Sequence, residues 1–67
     1  MLGNMKELKM ALHDCYVDTH NNTQPTEEEL NFLLAKLPKE IVDLALEWGG
    51  FDTVVRDKIF EWLLESK

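Results

Sequence analysis

Cysteine occurs once in this chain, at Cys15, so no disulfide can form within it. Small domains often draw stability from disulfides, a metal or oligomerisation, and the first of these routes is closed. A lone thiol fits a reducing compartment, and a cytoplasmic setting is therefore expected. Long apolar runs are also missing. Nothing approaches the roughly 18 residues of a membrane span. The start, Met1-Leu2-Gly3-Asn4-Met5-Lys6, shows no basic region leading into an apolar stretch, so no signal peptide is expected. Nor does glycine follow Met1, as myristoylation would require. Basic residues are the scarcest relative to need: 7 Lys and Arg face 13 Asp and Glu, for a net charge of −6. Affinity for a phosphate backbone comes from clustered Lys and Arg, so generic nucleic-acid binding is disfavoured.

What is present has the balance of a globular protein, with 45% apolar and 30% charged residues. Sixty-seven residues suffice for a single helical domain over 1–67,. A domain of this size buries only about 60% of the surface its unfolded chain exposes. Its total stability should be roughly 3–10 kcal/mol. The acid is unevenly spread. Residues 21–50 carry six acids and two bases, whereas residues 1–20 carry three and two.

Periodicity and punctuation predict four helices and no strand, an all-α fold built as a compact bundle of three to four short helices. Asn4 and Glu7 have capping-box spacing ahead of a first helix over about 5–19. That helix would turn Met5, Leu8, Ala11, Leu12, Cys15, Tyr16 and Thr19 to one side. His20-Asn21-Asn22-Thr23-Gln24-Pro25 reads as a loop. Thr26 and Glu29 form a second capping box, with Glu27, Glu28 and Glu29 at the positive helix end. The second helix then runs to about Leu37 on a stripe of Leu30, Leu33, Leu34 and Leu37. Pro38 disfavours helical geometry at Leu37 and suits the first turn of a third helix, about 38–48. Gly49-Gly50 closes it, and Asp52 or Thr53 caps a fourth over about 53–66.

The fourth helix is apolar over most of its circumference. At about 100° per residue, Phe51, Val55, Ile59, Trp62 and Leu63 share one side. Phe60 and Leu64 fall nearly opposite, leaving Asp57, Lys58, Glu61 and Glu65 as the polar arc. Such a helix is either central to the fold or keeps one apolar strip for a partner. On this reading Ile59 and Trp62 are core, and Phe60 and Leu64 are exposed.

Chemistry-bearing clusters are thin. His13, His20 and Cys15 are the only His and Cys residues, too few for the four converging ligands of a zinc site. No metal and no cofactor is expected. Ser66 is the only serine, and no nucleophile, base and oxyanion donor can be assembled, so no enzymatic activity is expected. Gly49-Gly50 lacks the Lys-Ser/Thr of a phosphate loop. The third and fourth helices resemble a DNA-binding helix-turn-helix in outline. Yet Asp52 and Asp57 occupy the turns that would meet the groove, with only Arg56 and Lys58 as nearby bases.

The acids do fall in rows. Glu40, Asp43 and Glu47 follow one helical face, and Asp57, Glu61 and Glu65 another. Four residues rise about 6 Å along a helix, close to the spacing of successive phosphates. Such rows can imitate a nucleic-acid backbone and fill a basic groove. They are equally the solvated face that any acidic amphipathic helix shows. The function expected is thus a small non-enzymatic protein-binding module, an adaptor or inhibitor. It would act through an apolar strip of Phe60 and Leu64, joined by Phe32, and through the acidic face of Glu40, Asp43, Glu47, Asp57 and Glu61. The partner expected is another protein, with a basic surface where the acids make the contact; a second copy of the chain is a further candidate. The alternative is a nucleic-acid mimic, of a kind a virus or mobile element would use, blocking a basic site on a nucleic-acid-handling protein. A helix-turn-helix DNA binder comes third.

Overall fold

The first helix is the one that all the others lean on. The computed structural model describes the backbone of residues 2–66 and the side chains of residues 5–65. Its helices are α1 (Leu2–Thr19), α2 (Glu27–Lys36), α3 (Lys39–Trp48) and α4 (Thr53–Ser66). Among the described residues there is no strand. Helix α1 packs against α2, α3 and α4, α3 and α4 pack against each other, and α2 approaches α1 alone.

That arrangement follows from the stripes. Leu8, Ala11, Leu12, Cys15 and Tyr16 recur at helical spacing along α1 and are all buried,. They meet Val55, Ile59 and Leu63 of α4, four residues apart, and Ile41 and Ala45 of α3. Leu30 and Leu37 close the cluster from the side of α2. With overall extents of 29 × 21 × 17 Å, one such layer is all the interior the chain can hold. Thr19 is the buried polar side chain among those described. Its hydroxyl donates back to the Cys15 carbonyl at 3.0 Å, so no unmet polar group is left inside.

Punctuation works much as expected, with four local differences. Thr26 accepts from the Glu29 amide at 3.1 Å, as a cap should,. Glu29, however, does not reach back: its carboxylate accepts from the Tyr16 hydroxyl at 3.0 Å, tying α2 to α1. Asn4, the expected cap, falls inside α1, which begins at Leu2, and its side chain lies outside the described residues. Glu7 instead accepts from the Gly50 amide at 3.2 Å. Pro38 stands just before α3, not in its first turn. With φ −57° and ψ 142° it is extended, and its carbonyl accepts from Ile41 and Val42. Asp52, one of the two residues expected to cap α4, accepts from the Val54 amide at 3.0 Å.

Gly49 ends α3 at φ 96°, a conformation that side chains rarely adopt,. Gly50 has a different reason to be glycine. A Cβ there would run into the backbone of Glu7 and Leu8. The α3–α4 turn therefore sits flush on the first half of α1.

Five side chains depart from the expected core faces, with Leu33 and Leu34 of α2 half-buried. Met5 and Phe51 are exposed, and Trp62 is half-buried. Phe51 lies before the Asp52 cap, outside α4, so helical angles do not apply to it. Met5 is one turn ahead of Leu8, beyond the point where Gly50 meets α1. Trp62 packs on the core with one side and faces a surface groove with the other.

Candidate functional site

The groove lies between the start of α3 and the second half of α4. Pro38, Glu40 and Ile41 line it from one side, and Lys58, Glu61, Trp62 and Glu65 from the other. Each position has a local cause. The extended Pro38 swings the chain so that α3 starts beside α4. Ile41 turns inward to the core, which leaves Glu40 on the rim. On α4, Lys58, Glu61, Trp62 and Glu65 are spaced three and four apart, so one helix face supplies all of them.

The groove measures about 160 Å³ and is open to solvent. Small-molecule sites usually enclose roughly 300–1,000 Å³. It is too small and too open to envelop a substrate or cofactor. What it can do is receive part of another surface: three carboxylates and one ammonium surround an apolar floor of Ile41 and Trp62. An indole face among carboxylates attracts a cation twice, through the charges and through the ring quadrupole.

The structure brings together some of the expected contact residues and separates others. Glu40 and Glu61 meet at the groove, joined by Glu65. Asp43, Glu47 and Asp57 are exposed but do not line it. Phe60 and Leu64 are 37% and 49% exposed, which makes them accessible from outside. Phe32 does not join them as expected. It sits on α2, which makes no close approach to α4, and the Lys36 ammonium lies 4.4 Å over its ring. Spacing along one helix cannot say which neighbouring helix will be near.

Two features escaped the sequence reading. Trp62 was assigned to the core alone and Ile41 was not singled out, and only the meeting of α3 and α4 shows that they floor a groove. Trp48 and Val54, 65% and 54% exposed, flank the Gly49-Gly50 turn together with Phe51. Position next to a glycine pair was the available signal, since such a pair marks a turn and the end of the helix before it.

Elsewhere the chemistry is quiet. Burial pushes the Cys15 thiol above its ordinary range, with nearby Arg56 opposing and Asp18, Asp14 and Asp57 assisting. It therefore stays protonated and unreactive. The thiol donates weakly to the Arg56 carbonyl at 3.7 Å. Tyr16 is pushed up as well, by burial first and then by its hydrogen bond to Glu29. Its ring stacks on His20, with centroids 3.9 Å apart. Among the described residues, no three His, Cys, Asp or Glu side chains are grouped to hold a metal ion. None of the described helices is long and apolar enough to cross a membrane. Compared with known protein families, curated protein sequences and solved structures, the chain matches none of them.

Proposed function

We propose that this protein is a non-enzymatic binding module, an adaptor or inhibitor, that captures a basic surface on another protein through the α3–α4 groove. The observation that carries this reading is the meeting of Glu40, Glu61 and Glu65 around Ile41 and Trp62. A row of acids alone is accounted for by solvation. An apolar floor set among the acids adds desolvated contact, which charge alone does not supply. Phe60 and Leu64 each precede a groove acid by one residue, about 100° round the helix, and would widen the contact. The net charge of −6 steers a basic partner toward the protein before contact is made,. A cytoplasmic setting suits the buried, unpaired Cys15,.

The test is a titration with a short arginine-containing peptide and its citrulline counterpart, which keeps the shape and removes the charge. The Trp62 indole and the amides of Glu40, Glu61 and Glu65 should shift with the first peptide, less in high salt, and not with the second. Equal response to both peptides, or an unmoved Trp62, would sink the reading. Glu61→Gln with Glu65→Gln should weaken binding, and so should Trp62→Ala. Imitation of a nucleic acid needs only the carboxylates, so capture indifferent to Trp62→Ala would favour the mimic instead. Nanomolar affinity for a defined DNA duplex at physiological salt would overturn both.

A further inference from the structure

We propose that α2 is a hinged strap: it swings off α1 as a unit while α1, α3 and α4 stay folded, exposing the strip of α1 beneath it. The inference is separate from the groove and its partner, and begins from connectivity. Helix α2 approaches α1 alone, whereas α1, α3 and α4 each pack on the other two. Removing α2 therefore breaks a single helix–helix interface.

That interface is thinly sealed. Of the residues of α2, only Leu30 is buried, with Leu33 and Leu34 half-buried. Beside Leu30 lies an open cleft of about 220 Å³, bordered by Lys9, Met10, His13 and Asp14 of α1. Two polar ties cross the seam. Lys9 and Glu27 form an ion pair at 2.8 Å in which the Glu27 side chain is 75% exposed, a setting where ion pairs contribute little. The Tyr16 hydroxyl donates to Glu29 at 3.0 Å and is the better shielded of the two.

Both ends of α2 are built to turn. Residues 20–26 form an irregular connection in which Asn21 and Asn22 take φ of 55° and 65°. The other end is Leu37-Pro38, two successive extended residues with ψ of 136° and 142°. Leu37 is buried in the core cluster and Pro38 has a fixed φ, so this joint is the anchored pivot and the 20–26 connection the end that moves. Few buried contacts along the segment are what distinguish a locally opening segment from a globally unfolding one.

Native-state hydrogen exchange, followed by NMR on the whole chain across low denaturant, reads this directly. Amides of Leu33, Leu34 and Ala35 should exchange at least about tenfold faster than those of Leu12 and Ile59, with weak dependence on denaturant. Leu30→Ala should speed exchange in α2 by roughly thirtyfold, and Ile59 with it, because the strap-open and the unfolded states both lose that contact. Tyr16→Phe, which removes one hydroxyl and keeps the ring, should speed both severalfold and stands in if Leu30→Ala does not fold. Ile59→Val, whose lost contacts belong to the core that stays folded when α2 opens, should speed Leu12 severalfold and leave α2 unchanged. Helix α2 sharing one denaturant dependence with Ile59 would overturn the proposal. So would Ile59→Val accelerating α2 as much as Leu12.

Discussion

The α1–α4 and α1–α2 interfaces share a helix and differ in how they are sealed. Toward α4, Leu8 and Leu12 meet Val55 and Ile59, all four without exposed surface. Polar contacts there sit at the border: Arg56 pairs with Asp14 at 3.6 Å, and its carbonyl receives the Cys15 thiol. Toward α2, one buried leucine stands beside an open cleft, and polar groups cross the seam itself. Close packing makes an interface cooperative, because each side chain supports its neighbours. Polar ties across a gap hold position without that mutual support. The two seams of α1 thus divide labour: one makes the fold and the other adjusts it.

The contrast can be broken most forcefully at Ile59. Ile59→Ala should cost roughly 2–5 kcal/mol, a large share of a total of roughly 3–10 kcal/mol. Denaturant midpoints should fall, and signals from every helix should be lost together. A loss confined to α4 would mean that the α1–α4 seam is not the spine. Next comes Gly50→Ala. The new methyl would press on the Glu7 and Leu8 backbone, which cannot move aside as a side chain could. Overpacking of this kind costs roughly 1–3 kcal/mol, and a neutral result in thermal unfolding would mean that the turn has slack.

Smaller effects belong to the other seam. Thr26→Ala removes the cap on the Glu29 amide and should cost about 1 kcal/mol. It should lower the global midpoint accordingly, since the capped α2 belongs to the native state that the midpoint measures. Alkaline pH should loosen both seams gently. Cys15 and Tyr16 are both pushed up in the folded chain, so the fold prefers their neutral forms. Their contribution is complete below the unfolded values, about 8.5 and 10, and is lost as pH rises through the folded ones. Midpoints measured from pH 7 to 11 should fall, and the Tyr16→Phe variant should fall less. At the acid end, Glu27 is held low by Lys9, so its contribution fades as pH drops through its folded value. With its side chain 75% exposed, Glu27 should leave no visible step there.

Much of this was legible in the sequence, and for identifiable reasons. The boundaries of α2, α3 and α4 were readable because they carry chemical marks: Thr26, Pro38, Gly49 and Asp52 act within a few residues of themselves, whereas Asn4, read as the mark of α1, lies inside that helix. The inward stripes of α1 and α4 were readable because helical spacing alone decides which residues share a face. The exposure of Phe60 and Leu64 followed from the same arithmetic. Contacts between helices were not readable. Glu29 serves Tyr16, and Glu7 serves Gly50, because the fold brings distant partners closer than the local ones. Phe32 was grouped with Phe60 and Leu64 on likeness of character, which says nothing about distance. The groove was hidden for the same reason. It belongs to no single helix, and Trp62 looked like a core residue until α3 was beside it.

The seating of Gly50 on α1 also decides where the molecule can be altered by hand. A turn pressed against another backbone has no room for a tag, a label or a grafted loop. The connection over residues 20–26 is the opposite. Asn21, Asn22, Thr23 and Gln24 are all exposed, and a chain can be lengthened at such a tip at little cost. An affinity tag or fluorescent reporter inserted between Asn22 and Thr23 would displace none of the residues that line the α3–α4 groove. It would also sit at one hinge of α2, where the same insertion could report the motion of the strap.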